Sequence, residues 1–256
     1  MLEQYQKKNR FLQKVNPSLK LAGVLMIIAV MVPVFDPWTP LFLFGLTVLL
    51  IIGLGGVSIR FLGLLLLPFL VFAFSFLWIQ VVFPDERGET ILFSIGSMPV
   101  ALENVYTGIS LGMRALVFAS WSLLFVLTTD PTRFMLSLIQ QCKLPPRFGY
   151  GMMAAYRFLP MFREELQQIR TAHRIRGLGE KRGLKQFKRY FIPLMAGAIR
   201  KAERTAIAME SKGFDGRRSR PFYRRIHWNR YDACFIGLFL TLLVVIYIVR
   251  AQWLVS

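Results

Sequence analysis

The sequence is poor in residues that do chemistry. Two of its 256 residues are cysteine and two are histidine. Cys142 and Cys234 lie far apart and make no metal or redox spacing, so neither a disulfide framework nor a zinc site is expected. Both read as small buried hydrophobes. His173 and His227 have no third ligand at metal spacing and read as solvated or helix-surface side chains. No Gly-x-x-x-x-Gly-Lys-Ser/Thr phosphate loop occurs, so the chain is not expected to hydrolyse ATP. Glu164 and Glu165 are neighbours on a helix and cannot face one another as a catalytic carboxylate pair. They are expected to be solvated, or paired with Arg163 or with cations a turn away. No nucleophile and base are set together, and no cofactor is implied.

Acidic residues are also scarce, 14 Asp+Glu against 32 Lys+Arg, for a formal charge of +18. What is abundant is apolar: 55% of the residues are hydrophobic and 14% aromatic. Five stretches are long enough for a hydrocarbon core of about 30 Å, which takes roughly 17–25 residues. They are Leu19–Phe35, Thr39–Val57, Phe61–Phe83, Gly108–Thr128 and Ala233–Val249. The first follows a charged head and lacks a small-residue cleavage site, so it does not read as a signal peptide. Pro-containing polar turns, "FDPWTP", "PDERGET" and "TTDPTR", separate the spans.

The cations orient this arrangement. Residues 1–20 hold Lys7, Lys8, Arg10, Lys14 and Lys20, the loop between spans two and three holds Arg60, and residues 131–231 hold twenty-three. Placing the N-terminus and residues 131–231 in the cytoplasm satisfies the positive-inside rule and leaves the C-terminus outside. The predicted organisation is therefore all-α. A cytoplasmic segment spans 1–18, a four-helix membrane region 19–128, a cytoplasmic helical domain 129–231 and a last membrane helix 232–256.

Residues 131–231 carry six acids, Glu164, Glu165, Glu180, Glu203, Glu210 and Asp215, and so a net charge of +17. The segment is nonetheless patterned. Phe158, Phe162, Leu166, Ile169, Ala172 and Ile175 recur at three- and four-residue intervals, as do Phe191, Met195, Ala198, Ala202, Ala206 and Met209. Two long amphipathic helices are predicted, with Pro160 and Pro193 kinking them or marking their starts. A shorter helix should follow Asp130-Pro131, with Asp130 as its N-cap.

Each long helix runs to a cation followed by glycine, Arg176-Gly177 and Lys212-Gly213. Glycine stops a helix by taking the left-handed conformation, and a terminal cation complements the helix dipole. That account suffices for one helix. The recurrence of an Ala-x-x-x-cation-Gly frame, Ala172 to Gly177 and Ala208 to Gly213, suggests two similar docking tips for a dimeric or pseudo-dimeric partner.

These residues resemble the transmembrane coupling subunit, the T component, of energy-coupling factor transporters, ABC-type importers of vitamins and of cobalt or nickel. That family carries two Ala-x-x-x-Arg-Gly signatures. "NPSLKL" (16–21), "TTDPTRFMLSL" (128–138), "CKLPPRFGYGMMAAYRFLPMFREEL" (142–166) and "IRKAERTAIAMESKGF" (199–214) extend the resemblance over nearly the whole chain. Asn16 stands for the usual Asp and Lys212 for the usual Arg. Lysine offers a point charge where arginine offers a planar fork, so the second tip should dock less rigidly. The resemblance implies a non-catalytic scaffold in a bacterial or archaeal plasma membrane. It would join two ATP-binding cassette ATPase subunits to one substrate-binding membrane (S) subunit, without nucleic acid. ATPase contacts are expected at Ala172, Arg174, Arg176, Gly177, Ala208, Lys212 and Gly213. Packing against the S subunit is expected at Phe158, Phe162, Leu166, Met195, Ala198, Ala202 and Ala206.

Three features stand apart. Arg114 falls six residues into the fourth span, as a functional intramembrane charge or an arginine snorkelling to the interface, with Glu103 as its partner. "GLGG" (53–56) reads as a helix-packing face or as a turn. The run "RRSRPFYRR" (217–225) would suit a basic module binding anionic lipid or nucleic acid, the competing reading of the whole segment.

Overall fold

The computed structural model describes Tyr5 and residues 10–83, 90–95, 98–177, 184–216 and 222–255. The chain is an all-α membrane protein of two compact units, Met1–Phe134 with Ile226–Ser256, and Met135–Arg225. The first unit holds a short α1 (Phe11–Lys14) and five apolar helices: α2 (Pro17–Met31), α3 (Trp38–Gly53), α4 (Ile59–Val82), α5 (Leu102–Thr128) and α9 (Arg230–Val255). Helix α6 (Pro131–Gln140) bridges the boundary in sequence, and α7 (Pro146–Ile175) and α8 (Leu184–Ser211) belong to the second unit.

Helices α4, α5 and α9 are long and apolar enough to cross a membrane; α2 and α3 are shorter. At 1.5 Å per residue, α2 rises only about 22 Å. Pro33 stands two residues past its last residue, Met31, where the hydropathy alone carries the span on to Phe35. Helix α5 starts at Leu102, six residues before the expected Gly108, because a strand leads straight into it. Among the described residues, β structure is confined to that hairpin, β1 (Ile91–Ile95) antiparallel to β2 (Met98–Ala101).

Two apolar clusters fill the first unit. One holds Ile27, Met31, Leu43, Val117, Trp121 and Leu242. The other holds Leu12, Val15, Ile51, Leu62, Leu124, Leu127 and Phe235. Helices α4 and α5 approach closely through glycine. A Cβ on Gly112 would sit 2.8 Å from the Ala73 carbonyl oxygen, and one on Gly108 3.1 Å from Leu77 Cα. Such small-xxx-small faces let backbones meet where lipid supplies no hydrophobic drive.

Both ends of this bundle are sealed by polar side chains reaching between helices. Lys20 of α2 donates to the Thr128 carbonyl (3.0 Å), Thr128 Oγ1 (3.2 Å) and Thr129 Oγ1 (3.5 Å) at the end of α5. Arg114 of α5 donates to the Val32 carbonyl (3.0 Å) at the end of α2 and lies 5.5 Å from the Phe35 ring. Each helix thus supplies a cation to the other's carboxyl end, where orphan carbonyls need donors.

Several side chains lie elsewhere than the sequence pattern predicts. Arg114 does not pair with Glu103, whose carboxylate accepts from the Thr90 amide and hydroxyl. The two lie eleven residues apart on one helix, roughly 16 Å along its axis. Lys20, counted among the N-terminal cations, is 1% exposed. Cys142 and Cys234 are exposed, Cys142 in the turn after α6 and Cys234 on an outward face of α9. In "GLGG", Gly53 ends α3 and Gly56, at φ +66°, makes the turn that follows.

Candidate functional site

The second unit presents the two Gly-terminated tips. Helix α6 begins as expected, with the Thr132 amide donating to Asp130 Oδ1 at 3.2 Å. After the turn at Lys143, α7 starts on Pro146 and continues through Pro160, and α8 continues through Pro193. Neither proline marks a helix start.

Helices α7 and α8 run antiparallel. Near one end, His173 and Arg170 meet the Tyr190 ring, at 5.6 Å and 5.9 Å. Midway, Lys201 Nζ lies 2.6 Å from Glu165 Oε2 and 5.8 Å from the Phe162 ring. Near the other end, Phe214 packs edge-on to Tyr150 at 5.5 Å, and Arg147 donates to the Asp215 carbonyl at 3.2 Å. Glu165 therefore pairs across to α8, not with Arg163 or with cations a turn away. Periodicity within one helix gives no sign of a partner on another. His173 lies half-buried on the surface of α7 against Tyr190; its Nδ1 has no hydrogen-bond partner among the described residues.

This geometry sets the tips at opposite ends of the pair. With Arg176 near the start of α8 and Lys212 past its end, some 25 residues of helix, about 38 Å, separate them.

The two ends are built alike. Arg176 is the C-cap of α7, its amide bonded to the Ala172 carbonyl at 3.2 Å. Gly177 follows at φ +68° and donates to the Arg174 carbonyl at 3.1 Å. At the second tip Gly213, at φ +79°, donates to the Glu210 carbonyl (2.9 Å) and Phe214 to the Met209 carbonyl (2.9 Å). This is a Schellman closure, with Lys212 as C-cap and glycine in the left-handed position. Ala172, Arg174, Arg176, Gly177, Ala208, Lys212 and Gly213 are all exposed. Ile175, beside Arg176, is 81% exposed, so an uncovered apolar side chain and a cation share one tip.

Between the helices lies a largely apolar groove of about 730 Å³. Phe158 and Phe162 line it from α7, and Ala198, Ala202 and Ala206 from α8. These five expected packing residues are brought together. Leu166 and Met195 are half-buried and do not line the groove. Arg147, Glu210 and Asp215 give it a charged rim that the apolar stripes did not announce. No group of His, Cys, Asp or Glu that could hold a metal ion occurs among the described residues. Residues 217–221 of the basic run lie outside the described residues.

Residues 8–223 match the CbiQ family, described as cobalt transport protein. Curated relatives match along almost their whole length. The energy-coupling factor transporter transmembrane protein EcfT of Staphylococcus aureus is 24% identical over 94% of each chain. That of Streptococcus thermophilus is 29% identical over 94% of this chain and 95% of the relative. That of Bacillus subtilis is 26% identical over 93% of each. With apolar helices, paired tips and this extent of similarity together, the chain belongs to the EcfT/CbiQ-like family, the multi-pass transmembrane component of bacterial energy-coupling factor transporters.

Proposed function

We propose that the chain is the non-catalytic scaffold of an importer, carrying ATP-driven motion of two ATPase subunits to a separate substrate-binding membrane subunit. The observation that carries this reading is the pair of like tips, each an exposed cation and a left-handed glycine, at opposite ends of α7 and α8. Arg176 and Lys212 each enter a groove of one ATPase subunit. There a partly desolvated contact with an acidic wall is worth more than a surface ion pair. Closure of the ATPases on ATP moves both grooves, and the helices transfer that displacement because their backbone hydrogen bonds make them stiff. The groove of Phe158, Phe162, Ala198, Ala202 and Ala206 receives an amphipathic surface of the substrate-binding subunit; alanine permits the close approach. The cation distribution supports a topology with the N-terminus and residues 129–231 in the cytoplasm and the C-terminus outside. Cargo selection, vitamin or metal ion, then resides in the substrate-binding subunit.

The test is an affinity pull-down from detergent-solubilised membranes, comparing the natural chain with Arg176→Ala/Lys212→Ala. Two ATP-binding subunits should accompany the natural chain and largely vanish with the double variant. If the double variant keeps its partners, the cation-Gly ends are ordinary helix caps. Salt-sensitive capture of anionic vesicles or DNA, with no ATPase associated, would instead favour a basic binding module.

A further inference from the structure

Where α5 ends and the chain turns into α6, it is fastened twice to the N-terminal segment. Lys20 is 1% exposed, and its three hydrogen bonds all go to neutral oxygens of Thr128 and Thr129. They use the full donor capacity of an ammonium. Five residues on, Arg133 Nη1 donates to the Gln13 carbonyl at 3.2 Å. Asp232, also 1% exposed, accepts from the Asn16 amide at 2.7 Å and the Asn229 amide at 2.9 Å. The first turns of α2 and α9 are thereby joined to each other, and α2 to the end of α5.

Burying an ammonium on neutral acceptors, with Asp232 attracting its charge and Arg133 repelling it from further off, is a poor way to gain stability. An apolar side chain of the same length would fill the space without the desolvation cost. What the ammonium adds is direction: it ties the α5–α6 turn to one register against α2. We infer that Lys20 is a positioning residue for coupling. It clamps the turn so that displacement arriving along α6 reaches the first turns of α2 and α9 rather than being absorbed in Thr128–Asp130. This rests on the coupling role proposed above.

Hydrogen–deuterium exchange on the intact complex, purified with its ATPases in nanodiscs, tests the inference with ATP and vanadate as the probe. Partner content is measured first. A natural chain that carries no ATPase overturns the coupling role, and this inference with it. If ATPases are present, ATP and vanadate should change exchange by about threefold or more both in α7–α8 and in the first turns of α2 and α9. A response confined to α7–α8 would overturn the clamp while leaving the coupling role standing. Lys20→Met should keep the α7–α8 response and lose that of α2 and α9. A merely structural cap would not separate the two, and undiminished transmission would overturn the inference. Should Lys20→Met unfold, Arg133→Met decides, since Arg133 is exposed and its loss spares the core. Its loss of the distant response supports the clamp, and its retention overturns it.

Discussion

Lys201 reaches from α8 to place its Nζ 2.6 Å from Oε2 of Glu165 on α7. The pair sits between the two aromatic contacts that hold the helices at their ends, His173–Tyr190 and Tyr150–Phe214. It therefore fixes their register, and with it the separation of the tips. Both side chains remain partly exposed, at 32% and 23%, so the ion pair should contribute only about 0.5–1 kcal/mol. Lys201→Met and Glu165→Gln should show a coupling of that size in a double-mutant cycle of thermal unfolding in detergent. The swap Lys201→Glu/Glu165→Lys should recover most of the loss.

Contacts of this kind explain what could be read from the chain and what could not. The stripes of Phe158 to Ile175 and Phe191 to Met209 follow from 3.6-residue periodicity, and the tips from Gly177 and Gly213. Periodicity within a segment carries no register between segments, so the groove rim and the Glu165 partner were invisible. Lys20 misled for a related reason. A lysine at the mouth of an apolar run reads as a solvated flank, and only the arrival of Thr128 from a distant helix makes it a buried cap. The hairpin was hidden because a short run of β-formers beside a long apolar helix gives too weak a signal against it.

The glycines divide into two kinds, and substitution should separate them. Gly112 faces the Ala73 carbonyl of α4, so Gly112→Leu must push two helices apart. Overpacking of this type should cost about 1–3 kcal/mol or more. Gly63 has open space around its Cβ position, and Gly63→Ala should be neutral or stabilising by up to about 1 kcal/mol. Thermal aggregation of the detergent-solubilised chain distinguishes them; equal effects would refute the close packing of α4 and α5.

At the tips the backbone is the sensitive element. Gly177 and Gly213 adopt φ of +68° and +79°, where a β-branched residue is strained by about 1–3 kcal/mol. Gly213→Val should open the closure at Met209 and Glu210, seen as faster exchange of the amides at positions 213 and 214. Tyr150→Ala should act on the same amides from the other side by removing the Phe214 contact, worth about 0.5–1.5 kcal/mol. Both variants should weaken ATPase recovery several-fold while Arg176 and Lys212 remain in place. Unchanged recovery would mean that charge alone, and not the shape of the tip, makes the contact.

Arg114 gives the sharpest test of how the bundle ends are sealed. It lies thirteenth in α5, half-buried, with its guanidinium on the Val32 carbonyl and against Phe35. Removing it leaves a carboxyl-end carbonyl of α2 without its donor, which should cost about 1–3 kcal/mol. Arg114→Lys should recover part of this, because a point charge can reach the carbonyl but cannot lie flat on the ring. Glu103 is occupied by Thr90, so Glu103→Gln and Arg114→Met should add in a double-mutant cycle. A coupling well above about 0.5 kcal/mol would mean that the two charges do meet in the membrane. In that case the polar seal at this end would be an ion pair, not a cap lent by one helix to another.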